Sequence, residues 1–446
     1  MRELVGLERE RLDQCDRPGR QLLKSRPASR RRGALAALAL ALLPAACRPE
    51  AGAELADDPA TTPPAGEADA PPSRYLYVWA GDADGPGSDF LAVIAAHPDS
   101  ADYGRVVATR PVGLVGYAHH TEHVMPERGA LFANSFRAGA SFAFDLSDPT
   151  APAIAASLTS AGPYSYPHSF ERLPNGNVLA TFQNRGEGNR EPGGLVELDA
   201  EGRLARAGDA ANSVDAAVRP YSLAVLPALD RVVSTTADMR SQHVARSVQI
   251  WRLSDLRLLH TMPLEHGPGG NEGYYSAEPR VLADGRTVGV ITFTCGLHLI
   301  KGVATDSPSA RLVHTFPFEN PRECALPVLQ GRFWVQTVAT THSLVSLDMS
   351  DPASPVRVDE LTFGPGDEPH WISLEPGGDR IVVTGVGTMH GTVRLVRLDA
   401  RTGALSPIEG FRGPGSVDPW VSFDRAAWPH GETGPARPHG AVFSRR

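Results

Sequence analysis

Cysteine is scarce in this chain. There are four in 446 residues, with no Cys-x-x-Cys pair and no Cys2His2 spacing. That argues against a thiolate zinc site or a thioredoxin-like dithiol. Cys15 and Cys47 fall in the N-terminal leader, which leaves Cys295 and Cys324, either paired in an oxidising envelope or present as two buried thiols. Basic charge is short as well. From residue 47 onward 33 Lys and Arg face 46 Asp and Glu, so the basic footprint of a nucleic-acid-binding protein is missing. Helix-like stretches of useful length are absent beyond the leader. The apolar run at 34–43 (ALAALALALL) is too short to cross a bilayer as a permanent helix.

That run follows Arg30-Arg31-Arg32 and ends in Leu43-Pro44-Ala45-Ala46-Cys47. A basic start, a short apolar segment and small residues before a cysteine predict a secretory signal over 1–46. Either Cys47 is lipidated, as in bacterial lipoproteins, or ordinary cleavage occurs near it. Residues 47–73 are rich in Pro, Ala, Asp and Glu, cannot repay their ordering entropy, and read as a disordered tether. The expected location is therefore the periplasm or the outer membrane, with membrane attachment only through such a lipid.

What is present is repetition. The same short strand restarts at Leu91, Phe142, Leu195, Val248, Leu297, Leu344 and Val393, at intervals of 47 to 53 residues. A period near fifty with strand and turn chemistry in each unit predicts an all-β fold, a seven-bladed β-propeller over 74–446. Ahead of several restarts lies a hairpin pattern, as in 168–182 (HSFERLPNGNVLATF) and 278–293 (EPRVLADGRTVGVITF). The turns Asn175-Gly176, Asp284-Gly285 and Gly377-Gly378 supply the positive φ that short hairpins need. The strand at 75–80 (YLYVWA) has no inner partner in its own unit, whereas 438–443 (PHGAVF) begins like one. The N- and C-terminal strands should therefore close one blade together, removing exposed sheet edges.

The start of each inner strand lies beside the central channel. Read around the ring, that position gives His119-His120, His168, Tyr221, Glu278, Glu323-Cys324, His370 and His439. With fifteen histidines in the chain, chance would place fewer than one there. A lone His in a propeller is ordinarily a hydrogen-bonded structural residue. His119, His120, His168, His370 and His439 together point instead to a transition-metal site, copper first, with zinc, nickel or iron as alternatives. Along a regular strand His119 and His120 would face opposite ways, so both can ligate only if the backbone turns there. Glu278 and Glu323 are the candidate catalytic or imidazole-orienting carboxylates. Glu122 and His123 are expected to lie past the axis, and His298 and His390 to be structural. His243, His260, His266 and His314 fall in loops or on blade exteriors.

The blocks AHHTE (118–122), YPHSFERLPNG (166–176) and GPARPHG (434–440) resemble the selenium-binding protein family, which includes bacterial methanethiol oxidases. The resemblance implies a seven-bladed propeller and a copper centre bound by His119, His120, His168 and His439. His370 is supported by the repeat register. The chain departs from the family after the His pair, where Thr121-Glu122-His123-Val124 replaces a cysteine-containing stretch, and at the C-terminus. Two readings follow. One is an exported copper-dependent oxidase of methanethiol or another small thiol. The other is a non-catalytic envelope propeller that binds a protein or polysaccharide. A lactonase-like hydrolase fits less well, because such sites favour carboxylate and Asn ligands around a cation such as calcium.

Overall fold

The computed structural model describes residues 71–446, other than 242, 320–322 and 446. The leader, Cys47 and nearly all of the tether lie outside the described residues. Seven antiparallel sheets of four main strands each form the blades of a propeller. Blade 1 has Gly434–Phe443 innermost, followed by Tyr75–Asp82, Phe90–Ala95 and Val106–Pro111. The chain ends thus close one sheet, with the C-terminal strand nearest the axis. The innermost strands of blades 2 to 7 are Ala118–Thr121, Tyr164–Arg172, Pro220–Leu226, Ser276–Val281, Cys324–Gln330 and Asp367–Leu374. All seven sequence restarts fall in third strands, from Phe90–Ala95 to Thr392–Leu398.

The third strands are read so easily because neighbouring blades cover both of their faces. Phe90–Ala95 is buried throughout, whereas the edge strand Ala153–Leu158 alternates between exposed and half-buried. Four tryptophans fill the spaces between sheets, and three of their indole N–H groups find inter-strand partners. Trp79 donates to the Asn134 carbonyl at 2.8 Å, joining blades 1 and 2, and Trp371 donates to the Ala441 carbonyl at 2.9 Å, joining blades 7 and 1. Gly176, Gly285 and Gly377 take the expected positive φ, at 89°, 66° and 62°.

Every innermost strand carries a β-bulge at the same level. His119 and His120 together oppose Asn134, His168 and Ser169 oppose Thr181, and Tyr221 and Ser222 oppose Thr235. Ala277 and Glu278 oppose Ile291, and Ala325 and Leu326 oppose Thr337. His439 and Gly440 oppose Trp79, while His370 is the extra residue of blade 7. A bulge breaks the alternation of side chains and re-aims one of them. Polar side chains opposite the bulges hold this geometry. Thr181 Oγ1 accepts from the Ser169 N–H at 3.0 Å and donates to the Tyr221 carbonyl of the next blade at 2.7 Å. Asn134 does the same job with the His120 N–H at 2.7 Å and the Pro167 carbonyl at 3.0 Å. Thr384 reaches the His439 carbonyl at 2.6 Å.

Candidate metal centre

The bulges gather all five predicted histidines. His119 and His120 stack with ring centroids 4.3 Å apart, so the bulge has turned both to one side of the strand. His168 lies 4.9 Å from His119 and 4.4 Å from His120. His439 lies 4.4 Å from His119, and His370 lies 5.0 Å from His439. Within His119, His120 and His168, and again within His119, His370 and His439, one nitrogen per ring falls within 4.8 Å of the others. Four of the five are buried and His370 is half-exposed, so the cluster opens on its side. Trp371, Phe136 and Tyr117 close other sides, with centroids 5.0 Å from His120, 5.4 Å from His168 and 5.2 Å from His119.

The donor set fits a transition-metal ion. His168 Nδ1 donates to the Tyr221 carbonyl at 2.8 Å, so its proton sits there and Nε2 keeps a lone pair. That Nε2 has no hydrogen-bond partner, and neither has His119 Nδ1 nor either ring nitrogen of His439. Buried polar atoms without partners cost stability and ask for a ligand. Burial holds His168 down to about pH 4 for protonation, against the pull of the Tyr221 carbonyl. Burial, and then repulsion among the rings, holds His119, His120 and His439 well below the ordinary histidine range. At neutral pH these imidazoles are uncharged, the form that coordinates metal.

The two predicted carboxylates part company. Glu278 is fully buried and sits at the second bulge position of its blade, level with His120, one residue later than the aligned starts suggested. Its Oε2 accepts from Ser222 Oγ at 2.8 Å and Arg280 at 3.0 Å, and lies 3.2 Å from His123 Nε2. Burial would raise its pKa, but His123, Arg280 and Ser222 outweigh burial and hold it down at about 2. The charge of Arg280, 3.0 Å from the carboxylate, is permanent. Glu323 is not brought to the cluster. The bulge of its blade falls at Ala325 and Leu326, so Glu323 stays at the channel mouth, facing Glu368.

His123 was placed past the axis by its sequence position, yet it joins the site. Its ring stacks on Trp371 at 5.0 Å and 11°, lies 6.0 Å from His120, and pairs with Glu278. The chain leaves its strand after Thr121, and no strand periodicity extends to residue 123. Glu122, as expected, turns away, binding Arg172 at 2.8 Å. On the hairpin face a cleft of about 720 Å³ reaches His123 and Glu171, whose carboxyl burial pushes up to about 7. His298 is buried with its ring nitrogens on the Gly296 and Glu265 carbonyls, and His390 bonds the Gly387 carbonyl, both structural arrangements.

This geometry can be set beside known proteins. No protein-family model matches the chain. A methanethiol oxidase from Hyphomicrobium sp is 32% identical over 116 residues, which is 25% of this chain and 26% of that protein. A solved hypothetical selenium-binding protein from Sulfolobus tokodaii superposes with a TM-score of 0.67 at 16% identity, over 84% of this chain and 94% of that one. This chain is similar to the selenium-binding protein and methanethiol oxidase family, as a divergent relative. The sequence match spans about a quarter of the curated relative's length. A periplasmic gluconolactonase from Pseudomonas aeruginosa shares the fold at a TM-score of 0.56 and 15% identity, over 83% of this chain and 99% of that one. At such identities both solved structures speak for the seven-bladed architecture alone.

Proposed function

We propose that the chain is an exported, copper-dependent oxidase of a small thiol, with His119, His120, His168 and His439 holding the metal and His370 beside them. The observation that carries this reading is the convergence of five imidazoles, of which the buried, uncharged His119, His168 and His439 each offer a ring nitrogen without a hydrogen-bond partner. The local likeness to a methanethiol oxidase supports the thiol. The mixed set of imidazoles with a nearby carboxylate suits copper and its neighbours over magnesium or calcium. Export is supported by the signal-like leader and by the Cys295–Cys324 disulfide, a bond that persists in oxidising compartments.

When bound, copper would supply a redox-active Lewis acid able to hold a thiolate sulfur and pass electrons to dioxygen. The chain's own contributions can be named. The Tyr221 carbonyl fixes the tautomer of His168, and Ser169 Oγ holds His120 Nδ1 at 3.0 Å. Trp371, Phe136 and Tyr117 keep bulk water from the rings. Glu278, anchored by Arg280 and Ser222, stays ionised and orients His123. The test is to load the protein from residue 73 onward with copper or zinc, desalt it, and measure retained metal and methanethiol-dependent oxygen uptake. Near one equivalent of copper with turnover upholds the reading. Metal without turnover leaves a binding protein, and no retained metal removes the centre altogether.

A further inference from the structure

Two residues before the bulge, in the innermost strands or just ahead of them, a second set of positions recurs around the channel mouth. In blade order it reads Arg437, Tyr117, Tyr166, Arg219, Tyr275, Glu323 and Glu368. Tyr117, Arg219, Tyr275 and Glu323 stand immediately ahead of their strands, so this ring marks the strand entrances, just before the histidine level. Tyr117, Tyr166 and Tyr275 all take left-handed backbone conformations, with φ of 70°, 58° and 55°. Such geometry is costly for an aromatic residue, and its recurrence at one register marks a built feature. Contacts confirm the placement. The Tyr117 ring lies 5.2 Å from His119, and the Tyr166 ring is 6.1 Å from Phe136, which in turn packs on His168.

Arginines from the loops between second and third strands cover two of these tyrosines. Arg240 Cζ stands 3.9 Å from the Tyr166 ring centroid, and Arg137 Cζ stands 5.1 Å from that of Tyr117. Arg219 comes within electrostatic reach of Arg240, and burial together with that neighbour lowers its pKa. Among the described residues none of Arg137, Arg219, Arg240 and Arg437 forms an ion pair, although thirteen other arginines do. The nearest carboxylate, Asp238, is buried, accepts from the Arg240 and Ser241 N–H groups, and only partly offsets this charge. Across the ring the mouth turns acidic at Glu323 and Glu368. One half of the mouth therefore offers guanidinium groups without ion-pair partners, two of them braced on Tyr117 and Tyr166, while Arg219 also donates to the Val218 and Arg190 carbonyls.

We infer that the substrate of this centre is a small thiol carrying a carboxylate, whose anionic group is held at the mouth by Arg219 and Arg240 beside Tyr166. This rests on the oxidase reading and narrows its substrate class. A guanidinium matches a carboxylate through paired N–H donors, and a Tyr face holds it in place. A thiol group one or two carbons beyond the carboxylate then points toward the imidazoles below.

The test compares mercaptoacetate with ethanethiol, which is similar in size and uncharged, on the copper-loaded full-length protein. Expected is a kcat/KM for mercaptoacetate about tenfold or more above that for ethanethiol. In Arg219→Gln/Arg240→Gln this preference should fall to parity while ethanethiol turnover and copper content stay as they were. Arg240→Lys should restore part of it. Equal kcat/KM values in the unaltered protein, or a preference that survives the double substitution, overturn the inference. Calorimetric binding of methylthioacetate needs no turnover and separates the two ideas. Binding that is lost in the double variant upholds the mouth site even if no thiol is oxidised, in which case the oxidase reading alone fails. Absent or unaltered binding overturns the mouth site. Should the double variant fail to fold, Arg240→Gln alone carries the same comparison, since that side chain is exposed.

Discussion

His168 and Tyr221 meet across the junction of blades 3 and 4, where the imidazole Nδ1–H donates to the backbone carbonyl at 2.8 Å. Both are bulge residues, so two irregularities in adjacent strands create one aimed donor atom, Nε2. The direction of that lone pair is a property of the ring of blades as a whole.

Substituting His168→Ala removes a cluster histidine whose tautomer is fixed by a backbone carbonyl. Copper retained after desalting should fall from near one equivalent to about a tenth of that or less, given what losing a protein ligand does to affinity. Far-ultraviolet circular dichroism should keep its all-β form, because the Thr181 staple remains. Undiminished metal content would show that His168 is no ligand.

The metal-free protein should lose stability in acid through these rings. The pKa of His168 is lower in the folded chain, about 4, than the ordinary value of 6.5. Between those values the unfolded chain binds the extra proton. The stability contribution is therefore complete above about pH 7 and is lost as pH falls toward 4, by about 3 kcal/mol at most for this residue. His119, His120 and His439 shift in the same direction and add to the trend. Urea midpoints measured at pH 7.5 and 4.5 on metal-free protein check this; a midpoint independent of pH would contradict it.

Much of this architecture is legible in the sequence, for a physical reason. Third strands such as Leu91 to Ala95 are buried on both faces, so their apolar runs repeat with the blade. The closing of blade 1 by Pro438 to Phe443 could be read because Tyr75 begins a unit without an inner partner. The histidines stood out because one register collects them. The exact ring was harder. A bulge is set by the pairing of two strands, which a linear reading of one cannot locate, and so Glu278 slipped by one residue and Glu323 was carried into the ring by its place before Cys324. Thr181, Thr235, Thr337 and Thr384, with Asn134, recur in second strands at the bulge level and were the signal that could have fixed it. His123 lies outside any strand, and its stacking on Trp371 and pairing with Glu278 reveal its place.

Those polar staples carry their own expectation. Thr181→Val keeps the shape but strands the buried Ser169 N–H and takes a donor from the Tyr221 carbonyl. A loss of about 2 to 4 kcal/mol in unfolding free energy should follow, because unpaired buried polar groups pay their desolvation cost. Copper affinity should fall about tenfold as His168 and Tyr221 loosen, and Thr181→Ser should restore both. A variant with full stability and weakened metal binding would mean that the staple positions without stabilising.

The disulfide offers a contrast, since it stabilises at a distance from the imidazoles. Cys295 precedes the third strand of blade 5 and Cys324 opens the innermost strand of blade 6, so their bond ties neighbouring blades across 29 residues of sequence. Both residues are fully buried. Cys295→Ala/Cys324→Ala should lower the unfolding free energy by about 2 to 4 kcal/mol, as expected for removing a cross-link of this loop length. Copper content and thiol turnover at 25 °C should be unchanged, because neither sulfur belongs to a metal-competent group among the described residues. The native protein should also resist mild reductant until denaturant is added. Loss of metal together with the bond would instead place blades 5 and 6 in control of the histidine cluster, through Glu278 and its hold on His123.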